Sequence, residues 1–165
     1  MTTMKRAGRG FTLIERVVVL AIVAVLASAA LPLQELVVRR VQECALREAL
    51  RSLRTAIDAH RQAVEAKQIA RSRDGSPYPP TLQALVQGVP LVDEQGQPLP
   101  GNTRLYLLRR LPRDPFADPA LPAAETWQLR SSHSPPDAPA PGDDVFDVMS
   151  RSERLALDGT RLKDW

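Results

Sequence analysis

Residues Val17 to Leu33 carry no charge, and this unbroken apolar run limits what the chain can fold into. In a helix its 17 residues extend about 25 Å, the lower end of what the hydrocarbon core of a bilayer requires. The run is too continuous to serve as one face of a small soluble domain. At its mouth sit Glu15 and Arg16. A carboxylate carried into hydrocarbon costs about 2.5–3.5 kcal/mol and is ordinarily paired or functional. Glu15 therefore needs a reason that the apolar run alone does not supply.

A short basic leader precedes it. Lys5, Arg6 and Arg9 lie among the first ten residues, which hold no acid. The whole chain has 22 Lys+Arg against 19 Asp+Glu, so beyond the leader basic and acidic side chains balance at 19 each. The net charge of +3 thus belongs to the leader, and no nucleic-acid partner is expected. Positive charge ahead of an apolar run keeps that side cytoplasmic. The lone Cys44 allows no intrachain disulfide and reads as a small apolar residue on a helix face.

Three readings of the N-terminal stretch compete. One is a secretory signal cleaved at Ala27-Ser28-Ala29, which would release a soluble binding domain. One is a plain membrane anchor. Neither explains Glu15. In the third, the leader, Gly10-Phe11-Thr12-Leu13-Ile14-Glu15 and the apolar helix together resemble the class III signal of type IV pilins and type II secretion pseudopilins. That resemblance implies cleavage between Gly10 and Phe11 by a prepilin peptidase, N-methylation of Phe11, and an assembly role for Glu15. The new ammonium at Phe11 would be the counter-charge that a buried carboxylate lacks, and a wrong axial register would leave a charge unpaired. Arg16 departs from the pattern, where an apolar residue is usual.

Beyond Leu36 the pattern becomes amphipathic. Leu46, Leu50, Leu53, Ile57 and Val64 recur at helical spacing. His60 falls near that stripe and reads as a partly buried structural histidine. Gly75 and Pro77 end the helical signal, so an amphipathic helix is predicted over 34–74, continuing from a hydrophobic assembly helix over 11–33 through or beside a kink at Pro32. A globular head occupies 75–165. Within it, Thr81 is predicted to cap a short helix ending near Gln87. Residues 88–103 read as loop. Leu105–Arg109, Thr126–Arg130 and Asp144–Met149 read as strands. Residues 131–142, with four prolines in twelve residues, read as a variable loop, and Asp158-Gly159 as a turn. The fold class is α+β: a long N-terminal helix, transmembrane in its first half and amphipathic in its second, packed on a small antiparallel β-sheet in a type IV pilin-like arrangement.

The head carries resemblance too. Tyr78 to Leu85, Leu111 to Phe116, Asp147 to Ser152 and the final Asp164-Trp165 are similar, in that order, to the major pseudopilin of type II secretion. That family often holds a structural calcium in its C-terminal loop. Here only Glu153, Asp158 and Asp164 are acidic beyond Ser150, fewer oxygens than the six to eight that calcium takes. Ser150 and Asp158 are the weak metal candidates, and no cofactor is expected. Nor is an enzyme: His60 and His133 lie in unrelated contexts, and there is no phosphate loop or nucleophile motif.

The resemblance implies a structural subunit of a periplasmic pseudopilus. It would be held first as a single-pass protein of the bacterial inner membrane, N-terminus cytoplasmic and head periplasmic. Its partners would be further copies and other pseudopilins, the prepilin peptidase and the inner-membrane assembly platform, and its polymerisation would drive protein export across the outer membrane. The alternative is a minor type IV pilin-like subunit whose head binds a ligand or DNA.

Overall fold

The computed structural model describes residues 12–72 and 74–165, and of residues 29–33 the backbone alone. One helix, α1, runs from Leu13 to Glu65, 53 residues, with Pro32 inside it. By contacts the chain divides into two units, one ending at Arg40 and one spanning Val41–Trp165.

In the first unit α1 is exposed and apolar all round. The consecutive residues Val17, Val18, Val19 and Leu20 are each at least half exposed, and four consecutive residues cover every face of a helix. Exposed apolar residues continue at Leu36, Val37 and Val38. A helix with this pattern meets its own backbone hydrogen bonds but leaves its side chains needing an apolar surrounding. Among the described residues no helix is long and apolar enough to cross a membrane. Glu15 and Arg16 close the uncharged run on one side, and Phe11 and the side chains of 29–33, which the expected span included, lie outside the described residues.

In the second unit α1 becomes one-sided. Leu46, Leu50, Leu53, Ile57 and Val64 are all buried, with Ala49, Ala56 and Ala63 between them. The periodic stripe in the sequence is thus the core face of the helix. Over it pack Leu82 and Leu85, Trp127, Val145, Val148 and Leu162. Trp127 is fully buried, and its indole N–H donates to the carbonyl of Pro112 at 3.0 Å.

The amphipathic helix stops at Glu65, short of the expected 74. Lys67 adopts φ 56°, the N–H of Lys67 donates to Val64 O, and the N–H of Gln68 donates to Ala63 O. This is a Schellman closure with a lysine where glycine is the usual residue. It turns the chain so that Ile69 pairs with Leu91 and is buried against Ala63 and Val64.

Helix α2 spans Leu82–Gln87, and the Thr81 hydroxyl caps it by accepting the N–H of Ala84. It ends at Gly88, φ 79°, where a Cβ would come within 2.8 Å of the Tyr106 ring. The expected single sheet is instead two separate antiparallel pairs. Strands β1 (Val89–Pro90) and β2 (Arg104–Leu105) form one, so the segment expected as loop supplies a strand. The strand expected over Leu105–Arg109 shrinks because the N–H groups of Leu107 and Leu108 both donate to Leu85 O, at 3.1 and 2.9 Å, at the end of α2. Strands β3 (Trp127–Arg130) and β4 (Asp147–Ser150) form the other, with Trp127 opposite Ser150 and Arg130 opposite Asp147. The α+β architecture of long helix and small antiparallel sheets is as predicted.

The Schellman closure generates a test. A non-glycine residue in the left-handed region costs about 1–2 kcal/mol. Lys67→Gly is expected to stabilise the head by up to about 1 kcal/mol, since glycine's greater freedom in the unfolded chain offsets part of the gain. Urea unfolding would show a higher midpoint at unchanged slope, and a lower midpoint would contradict the assignment.

Candidate functional site

At the start of α1, Thr12 is the residue before the first helical turn. Its hydroxyl oxygen accepts the N–H of Glu15 at 3.4 Å and its carbonyl accepts the N–H of Arg16 at 3.2 Å. Glu15 therefore occupies the third helical position, where the unpaired N–H groups of the helix end favour a negative charge by about 0.3–1 kcal/mol. Thr12-Leu13-Ile14-Glu15 has the spacing of a capping box, a signal hidden inside the motif around Glu15. Glu15 is exposed, and among the described residues no ion pair reaches it. Arg16 is exposed as well. Gly10 and Phe11, the expected cleavage and methylation residues, lie outside the described residues.

In the head, the motif stretches meet through polar side chains. Asp114 is buried, and its carboxylate accepts the Ser150 hydroxyl at 2.5 Å and the N–H of Phe116 at 2.7 Å. This joins the Leu111–Phe116 stretch to β4. The N–H of Val145 donates to Pro79 O at 2.8 Å, and Tyr78 meets the Phe146 ring edge-on with centroids 5.0 Å apart, which joins the Tyr78–Leu85 stretch to the same region. Arg54 of α1 donates to the Asp147 carboxylate at 2.8 Å, to Val148 O at 3.1 Å and to Trp165 O at 2.6 Å. Arg47 lies over the Trp165 ring, 4.2 Å from its centroid.

His60 is buried on α1, and its Nδ1–H donates to Pro77 O at 2.9 Å. Burial lowers its pKa against the opposing pull of that carbonyl, so the ring is neutral at pH 7 and structural. Asp144 is the most densely bonded acid. It is 1% exposed and accepts the hydroxyls of Ser76, Ser131 and Ser132, each at 2.6 Å, and the N–H of Ser132 at 2.9 Å. Burial pushes its carboxyl up, but the four donors outweigh that and hold it at about 2. One carboxylate thereby ties the proline-rich loop after β3 to the turn at Ser76. No sequence signal marked it, because Asp143-Asp144 looks like any acidic pair in a loop.

Both metal candidates already have partners within the head. The Ser150 hydroxyl is fully buried and spent on Asp114. Asp158 is exposed and accepts the N–H and hydroxyl of Thr160, at 2.9 and 2.6 Å, and Arg47 at 3.1 Å. Among the described residues no group of three or more His, Cys, Asp or Glu could hold a metal ion. The residues present do not fit a calcium site.

With the geometry in place, comparison with known families identifies one feature. Residues 5–31 match the prokaryotic N-terminal methylation motif. The stretch around Thr12 and Glu15 is therefore a type IV pilin-like prepilin signal leading into α1. No curated protein and no solved structure matches the chain.

The Asp144 cluster has a definite pH signature. Its folded pKa lies below that of an unfolded aspartate, so its stabilisation is fully present above about pH 4 and is lost as pH falls toward 2. Asp144→Asn is expected to cost about 2 kcal/mol at pH 7 and to flatten the fall in melting temperature between pH 4 and 2. Parallel melting curves for both proteins across that range would disprove the cluster's role.

Proposed function

We propose that the chain is a structural subunit, of the major pseudopilin kind, of a type II secretion pseudopilus. The observation that carries this reading is the methylation motif, which sets Glu15 in the first turn of a helix that is apolar on every face. Before assembly the apolar segment rests in the inner membrane with the head in the periplasm. The prepilin peptidase cleaves after Gly10, and the new Phe11 amine is methylated. Subunits then leave the membrane and pack their α1 segments together, which gives the side chains of Val17 to Leu26 the apolar surrounding they lack in isolation.

Glu15 sets the register of that packing. In a low-dielectric bundle its carboxylate pairs with the Phe11 ammonium of a neighbour, and any other axial position leaves both charges unpaired. The contact joins different surfaces on the two copies, so it repeats without closing and yields a fibre. Growth of a short periplasmic fibre, driven from the inner-membrane platform, would push folded proteins through an outer-membrane channel. The order of the head motifs favours this system over other pilin-like filaments, since the stretches that carry the resemblance are those joined through Asp114–Ser150 and Pro79–Val145.

Intact mass and N-terminal sequencing of the mature protein test the reading directly. The expected product begins at Phe11 and carries one methyl group, and a product cut after Ala29 would rule it out. Glu15→Val is expected to leave membrane insertion unchanged and to reduce fibre yield more than about tenfold, from loss of a pair worth several kcal/mol. Fibres of normal length and number from cells making only the Val variant would refute the role given to Glu15.

A further inference from the structure

The loop from Leu108 to Arg113 lies beside α1 and closes a cleft of about 700 Å³. Ala45 and Ala49 of α1 and Leu108 and Leu111 of the loop give it apolar walls. Arg109, Arg110 and Arg113 also line it, and all three are exposed. Among the described residues no ion pair reaches any of them. Arg113 donates to the carbonyl of Asp118 at 2.8 Å, which leaves its charge uncompensated. The one acid on the lining, Glu48, faces Arg51 at 3.4 Å. The cleft is therefore a net positive surface made of the side chain best suited to grip a carboxylate with two parallel hydrogen bonds.

A matching negative surface exists on the same head. The bridge between Val92 and Pro98 closes a turn that carries Asp93 and Glu94. Asp93 Oδ1 accepts the N–H groups of Gln95 and Gln97, at 3.0 and 2.8 Å, which fixes the turn and leaves Glu94 exposed. Among the described residues these two acids also lack an ion pair. This turn belongs to the far end of α1: Leu91 pairs with Ile69 and packs with Ala63 and Val64. The cleft lies against Ala45 and Ala49. From Ala49 to Val64 the helix rises about 22 Å, well beyond the reach of one side chain to another. Within one copy no ion pair joins the two groups among the described residues, whereas copies displaced along the helix axis can bring them together.

We propose that the arginine cleft of one copy receives the Asp93–Glu94 turn of a second copy. The contact is heterologous, so each added copy presents one free cleft and one free turn and the array stays open. It adds a salt-sensitive contact between heads to the packing of the α1 segments, and it rests on the filament reading above.

Cysteine cross-linking in the full-length chain in cell membranes tests it, with Cys44→Ala removing the native thiol. Chains carrying both Gln95→Cys and Arg113→Cys are expected to give a ladder of disulfide-linked multimers, and a mixture of the two single variants only dimers. Glu94→Arg should lower the yield more than about tenfold through like-charge repulsion, and adding Arg109→Glu with Arg110→Glu should restore it. The proposal fails if the yield is no greater than with Arg154→Cys in place of Gln95→Cys, or if Glu94→Arg leaves it unchanged. Failure with a mature N-terminus at Phe11 refutes this contact alone, and a different N-terminus refutes the filament reading itself.

Discussion

Helix α1 is the constraint on which everything else depends. Away from its two ends and from Pro32, its 53 residues satisfy their backbone hydrogen bonds within the helix, so what differs along its length is what its side chains meet. The answer changes at about Val41. Before it, apolar residues cover all faces, and among the described residues of that unit nothing covers them. After it, apolar residues keep to one stripe, and the remainder of the chain folds onto that stripe. A single helix thus has one surface that its own chain completes and another that only an outside surrounding can complete. The methylation motif, residues 5–31, includes the described helical residues 13–28 of the second kind.

The head solves a problem set by its composition. Its share of the 15 prolines denies long ladders to any sheet, and its two sheets are two-stranded. An isolated two-stranded pair is marginal in water. The structure compensates with buried carboxylates that accept several hydrogen bonds each. Asp114 joins a proline-flanked turn to β4, and Asp144 joins the loop after β3 to the turn at Ser76. Charge-assisted bonds of this kind are roughly twice as strong as neutral ones. Arg54 does the equivalent from the helix side, holding Asp147 and two backbone carbonyls. The charges that look like a solvated helix face in the sequence include the clamp that fastens the last residues to α1.

Local signals were legible where one residue type does one job. The spacing of Leu46, Leu50, Leu53 and Ile57 named the core face, and Thr81 named the cap of α2. The end of α1 was not legible, because Gly75 and Pro77 are strong stop signals and Lys67 is not one. The stop at Lys67 follows from the burial of Ile69 against Leu91 and Val64, a long-range contact. The strand over Leu105–Arg109 failed for a similar reason: Leu85 O takes two N–H groups that a ladder would have used. At the functional end, Glu15 was legible as an acid out of place, while the cap that Thr12 provides was hidden inside the motif that drew attention to Glu15.

The sequence by itself determined that a methylation motif holding an acid, Glu15, runs into an uncharged apolar segment, because charge pattern and a short motif are local properties that no tertiary contact can move. It also determined that an amphipathic helix follows, since periodicity is local too. Only the tertiary structure decided where that helix stops, which acids are buried, and which arginines are left unpaired. Those outcomes depend on contacts between residues far apart in the chain. Ser150 and Asp158 illustrate the difference. Near each other in sequence and of metal-binding type, they are bonded to different partners, Ser150 to Asp114 and Asp158 to Thr160 and Arg47.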